Sequence, residues 1–157
     1  QGQLLMVMRS QLGSVFMSHS IDRGETWSLP QSSGLSSCES MPSLTRIPIT
    51  DDMLLIWNHS EFDPTYDHSG IRTPLTCAIS KDGGETWGKP KNLEDDPGIE
   101  FSNIACSFTA DGKSIVTYFT STMLTTEHPG KMGRSAMSLK GAIFDIKWLY
   151  AKGGDAC

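Results

Sequence analysis

The sequence has no long apolar run. No stretch approaches the roughly 20 residues needed to span a membrane, and no charged-then-apolar leader opens the chain. Basic residues are also scarce: 13 Lys and Arg stand against 18 Asp and Glu, for a net charge of −5, which leaves no basic surface for a nucleic-acid backbone. The four cysteines, Cys38, Cys77, Cys106 and Cys157, form no CxxC pair. None of His19, His59, His68 and His128 stands at a zinc spacing, so neither metal nor cofactor is expected. Cys77 and Cys106 lie in apolar runs and read as small buried side chains. A disulfide is left open without being indicated, and a catalytic thiol is the least favoured reading. With 38% hydrophobic and 20% charged residues, the chain is globular rather than disordered. It opens on Gln1-Gly2-Gln3 and runs at once into Leu4–Met8, which reads as a cut through a longer protein. The compartment stays open, with a secreted or periplasmic location preferred.

What is present is a repeat. Ser20-Ile21-Asp22-Arg23-Gly24-Glu25-Thr26-Trp27 recurs as Ser80-Lys81-Asp82-Gly83-Gly84-Glu85-Thr86-Trp87, and Pro30 and Pro90 follow each copy at the same distance. Short β-type runs precede both copies, Ser14–His19 and Leu75–Ile79. Ser43–Ile47 and Met53–Asn58 flank a polar turn between the copies. After the second copy, Asn103–Phe108 and Ser114–Phe119 flank Asp111-Gly112, a strong hairpin signal. A last run, Ala142–Tyr150, reads as a strand, and no segment reads as a helix. Strands with a period of about 60 residues (positions 20 to 80) predict radial β-architecture built from four-stranded blades.

Each residue of the repeated box has a structural job. The carboxylate of Asp22 or Asp82 accepts N–H bonds from its own turn. Gly24 and Gly84 supply a positive φ. Thr26 and Thr86 bond locally, and Trp27 and Trp87 insert between strands or blades. Catalytic or calcium-binding roles for these aspartates are disfavoured, since the boxes lack regular oxygen ligands.

Both boxes match the Asp-box, or BNR, repeat, and the chain resembles a C-terminal portion of a bacterial sialidase-like protein. The resemblance implies an all-β fold: about two and a half four-stranded blades of a six-bladed sialidase-like β-propeller over residues 1–150, with 151–157 as a flexible tail. Members of that superfamily grip the carboxylate of a terminal sialic acid with three arginines. They attack with a Tyr activated by a Glu, and use an Asp as acid/base. Leu4–Ser10 resembles the segment carrying the second arginine, here Arg9, and Ile71–Ser80 the segment carrying the third, here Arg72. The first arginine, the Asp and the Glu would fall before Gln1. The Tyr position, in Ile99-Glu100-Phe101-Ser102, is held by Phe101, which has no hydroxyl for a covalent intermediate. The implied partners are a sialylated or acidic glycan and the remaining blades of the propeller.

Several other residues invite a role. Arg46 superficially matches an arginine of the triad but falls in the wrong blade, and a surface ion pair is the preferred reading. Glu39 and Glu61 lie in loops, where propeller sites draw their residues. The polar loop Phe62–Gly70, with Tyr66 and His68, could overhang a site, and Tyr66 is a conceivable surrogate nucleophile. Asn58-His59-Ser60 is a formal glycosylation sequon. Trp57 and Trp148 read as packing between blades. Two functions follow: part of a sialidase-like hydrolase, favoured by Arg9 and Arg72, or a non-catalytic glycan- or protein-binding propeller, favoured by Phe101.

Overall fold

The computed structural model describes residues 3–125 and 132–151. His128, Cys157 and most of the expected tail lie outside the described residues. Among the described residues ten strands form three antiparallel sheets, and the chain meanders through each in sequence order. The first sheet holds β1 (Leu4–Met8), β2 (Ser14–Ser20) and β3 (Gln31–Ser36). The middle sheet holds β4 (Ser43–Arg46), β5 (Met53–Asn58), β6 (Leu75–Ser80) and β7 (Lys91–Glu94). The third holds β8 (Ile99–Phe108), β9 (Lys113–Thr125) and β10 (Met132–Asp145).

The boxes set the frame. One joins β2 to β3 and the other β6 to β7, so β1 and β2 correspond to β5 and β6. The β1–β2 and β5–β6 loops are therefore equivalent and lie at one end of their sheets, with the boxes at the other. Two apolar layers fill the space between sheets. Val15, Met17, Leu55, Trp57 and Ala78 join the first sheet to the middle one. A larger set, including Leu54, Ile56, Cys77, Phe101, Val116 and Tyr118, joins the middle sheet to the third. Strand β5 faces both layers, and all six of its residues are buried.

One expectation is corrected. The strand predicted over Ala142–Tyr150 ends at Asp145, and α1 (Ile146–Tyr150) follows. The Asp145 carboxylate accepts the Lys147 N–H at 2.8 Å and caps the turn. Ile146 and Leu149, three apart, then face the core together. At the far end the Lys91 ammonium donates to the carbonyls of Trp148 (2.7 Å) and Ala151, placing a cation where the helix presents unpaired carbonyls.

Candidate functional site

Arg72 precedes β6 in the β5–β6 loop, and Arg9 follows β1 in the equivalent loop of the first sheet. The Arg72 side chain is half-buried, and its Nη2 donates to the Glu39 carbonyl at 3.4 Å. Arg9 is exposed. Its loop is held by Ser10 Oγ donating to the Ser14 carbonyl at 2.7 Å, and Gln11 Nε2 donates to Glu39 Oε2 at 2.9 Å. Glu39 thus touches both arginine-bearing loops, one through its carboxylate and the other through its backbone. The polar loop folds onto the same place. Glu39 N–H donates to the His68 carbonyl at 2.8 Å, and Gly70, at φ +139°, packs beside Cys38 and the Glu61 carbonyl, where no Cβ fits. Tyr66 is half-buried within this loop.

Beneath Arg72 lie buried polar groups. Glu100 is 5% exposed, Ser40 3% and Cys38 0%. Burial raises the Cys38 thiol pKa, the Ser60 and Ser40 hydroxyls and the Arg72 charge oppose the rise, and Glu100 adds to it. The other cysteines behave likewise. Burial pushes Cys77 up to about 12 and also raises Cys106. These thiols stay protonated at neutral pH and are poor nucleophiles. All three described cysteines are free.

Phe101 does not face this surface. Its ring is 1% exposed and meets Tyr118 edge-on, with centroids 5.8 Å apart, in the core between the middle and third sheets. Tyr118 itself donates to Glu94, which also takes the Lys140 ammonium. The pair has the composition of an activated tyrosine but the opposite electrostatics. Burial, then the bond and charge of Glu94, push the phenol upward and favour its neutral form. Tyr118 is a core residue.

The boxes follow their expected mechanism. Ser20 and Ser80 donate to Asp22 and Asp82, whose carboxylates accept the N–H of Thr26 and Thr86 at 2.9 Å and their hydroxyls at 2.5 Å. These bonds, the threonine hydroxyl first, hold both carboxyls at about 2. Gly24 and Gly84 have φ of +93° and +102°, and Gly84 lies against the Leu5 side chain of the first sheet, which a Cβ there would have to displace. The two tryptophans differ. Trp87 packs against the layer of Val15, Met17, Leu55, Trp57 and Ala78 between sheets, whereas Trp27 is 38% exposed and donates to Gly24 O at 3.1 Å.

Arg46 sits at the box end and pairs with Asp51 at 3.1 Å on the surface, away from Arg9 and Arg72. Trp57 is fully buried and donates to the Ser36 carbonyl at 3.0 Å, and Trp148 packs in α1 against Phe144. No cluster of three or more His, Cys, Asp or Glu that could hold a metal occurs among the described residues. No helix among them is long and apolar enough to cross a membrane. A cavity of about 540 Å³ lies between the second box and α1, lined by Lys81, Trp87, Lys91 and Tyr150 among others. It holds neither arginine.

Sequence reasoning passed over Asn58 as a binding-site component. It closes an otherwise apolar strand, fully buried, and donates to the carbonyls of Arg72 and Phe101 at 2.8 and 3.1 Å. A polar residue ending a five-residue apolar run was the available signal. A buried, engaged amide nitrogen also rules out the formal sequon as a glycan site in the folded chain.

Residues 1–116 match the family described as BNR repeat-like domain. Among solved structures, the chain is similar to the NanB sialidase of Streptococcus pneumoniae (TM-score 0.69, 14% identity, 94% of this chain and 22% of that one). It is also similar to the intramolecular trans-sialidases of Ruminococcus gnavus (0.66, 17%, 97% and 32%) and of leech (0.64, 17%, 95% and 22%). It therefore spans between a fifth and a third of the length of those chains. The three sheets have the fold of sialidase propeller blades. No curated protein sequence matches the chain.

Proposed function

The chain belongs to the BNR repeat-like domain family, and on that premise we propose that it forms part of the acidic-sugar site of a sialidase-like protein, with Arg9 and Arg72 gripping a substrate carboxylate. The observation that carries the reading is the equivalence of their two loops. Both connect the strands that precede a box, both lie at the same end, and both touch Glu39. Two guanidinium groups at one rim, each with a planar fork of donors, suit a carboxylate better than a neutral hydroxyl. The ligand is a terminal sialic acid or a related acidic sugar.

Within this reading, Phe101 favours recognition over hydrolysis by the chain itself. It offers no hydroxyl and turns into the core, and the Tyr118 phenol is buried and held neutral. Turnover of a fluorogenic sialoside by the 157 residues is expected to be nil, while a sialic acid binds through its carboxylate and Arg72→Ala weakens that binding about tenfold or more. Turnover above the uncatalysed rate would reject the recognition reading. Equal binding of the acid and its methyl ester would reject the carboxylate grip.

A further inference from the structure

We infer that the cavity between the second box and α1 is a binding site for a small amphipathic anion, a carboxylate carried on a flat apolar body, separate from the arginine-bearing loops. The cavity measures about 540 Å³, within the range of pockets that take small organic ligands. Trp87, Leu149 and Tyr150 give it apolar walls, and Lys81, Lys89 and Lys91 line it as well. No Asp or Glu stands among its lining residues within the described part of the chain. Three of the chain's 13 basic residues therefore meet in one cavity of a molecule whose net charge is −5. Such a local reversal of sign, set on apolar walls, attracts an anion.

The box does not account for these lysines. In the first copy the same three positions hold Ile21, Leu29 and Gln31, and that turn closes with the same hydrogen bonds. Only one of the three has a clear duty in the fold. Lys91 is half-buried and donates to the carbonyls of Trp148 and Ala151, which fixes α1 and with it one wall of the cavity. Lys81 and Lys89 are exposed, so they supply charge at the mouth without the cost of burying it. The Lys81 ammonium lies 5.7 Å from the centroid of the Tyr150 ring. The Tyr150 hydroxyl is already satisfied, donating to Asp52 at 2.6 Å and pairing with Thr50 at 2.6 Å. What the residue has left to offer a ligand is its aromatic face. Two aromatic walls select a flat apolar body, and the lysines at the mouth select a negative head group over a neutral one.

The test is calorimetric titration of the chain with naphthalene-2-carboxylate and with its methyl ester, repeated on Lys81→Gln/Lys89→Gln and on Arg72→Ala, with thermal melts of each. One carboxylate should bind per chain, about tenfold more tightly than the ester. Lys81→Gln/Lys89→Gln changes only exposed positions, so it should melt as the unmodified chain does and lose the preference for the acid. Arg72→Ala should keep that preference. If the double form does not melt cooperatively, Lys89→Gln alone decides, with the same outcomes. Full acid preference after the lysines are replaced overturns the site. Binding removed by Arg72→Ala also overturns it and moves the anion to the arginine end. So does the absence of saturable binding of the carboxylate. Equal binding of acid and ester in several copies per chain overturns it as well, and marks adsorption to exposed apolar surface.

Discussion

The carboxylates of Asp22 and Asp82 accept three hydrogen bonds each from their own turns, and that arrangement gives the chain an acid-sensitive element. Both carboxyls fall from the usual 3.8 to about 2 in the folded chain, the threonine hydroxyl contributing most. Because the folded value lies below the unfolded one, the contribution is complete above about pH 4 and is lost as pH falls toward 2. Melting temperatures of the unmodified chain should therefore drop across that window, and those of Asp22→Asn/Asp82→Asn should start lower and drop less. A parallel decline in both would show that the boxes do not carry the acid response. These residues were legible in the sequence because a box is a local device: donor, acceptor and glycine all lie within eight positions. Asn58 was not, because its partners stand 14 and 43 residues away. Nor was the inward turn of Phe101, which depends on Tyr118 across the third sheet.

At the scale of elements, the boxes differ only in what lies beside them. Trp87 packs against the apolar layer between the first and middle sheets, while Trp27 lies 38% exposed on the outer side of the first sheet. Denaturant unfolding should show Trp87→Ala losing about 2–3 kcal/mol and Trp27→Ala under about 1. Equal losses would refute packing between sheets as the role of the motif's tryptophan. The inner strands, β5 above all, were readable from continuous apolar runs. The outer strands β3 and β7, QSSGLS and KNLE, carry almost no hydrophobic signal, because an outer strand buries little of either face. The short helix α1 escaped for another reason. Five residues are too few for a periodic pattern, and the capping Asp145 sits inside a run that also alternates acceptably as a strand.

For the molecule as a whole, the two flanking sheets leave apolar side chains in solvent among the described residues. Leu4 and Met6 are 43% and 39% exposed on one flank, and Met137, Leu139 and Ile143 are 59%, 69% and 65% exposed along β10 on the other. Patches of this kind drive association, so the chain should self-associate with rising concentration, and Leu139→Lys/Ile143→Lys should reduce this in sedimentation without lowering the melting temperature. Unchanged association would place the contact elsewhere. The partition of the fold into repeated units could be read from the 60-residue spacing. The meeting of the Arg9-bearing loop and Arg72 at Glu39 could not, since Gln11 and Arg72 reach that residue from two different sheets and from 28 and 33 residues away in the chain. The contrast between the two boxes has an optical consequence. Trp27, wet, and Trp87, packed, are chemically identical chromophores in a chain of only four indoles, so Trp27 should emit to the red of its twin. Docking of another blade against the first sheet would shift it toward the blue, a built-in reporter requiring no added dye.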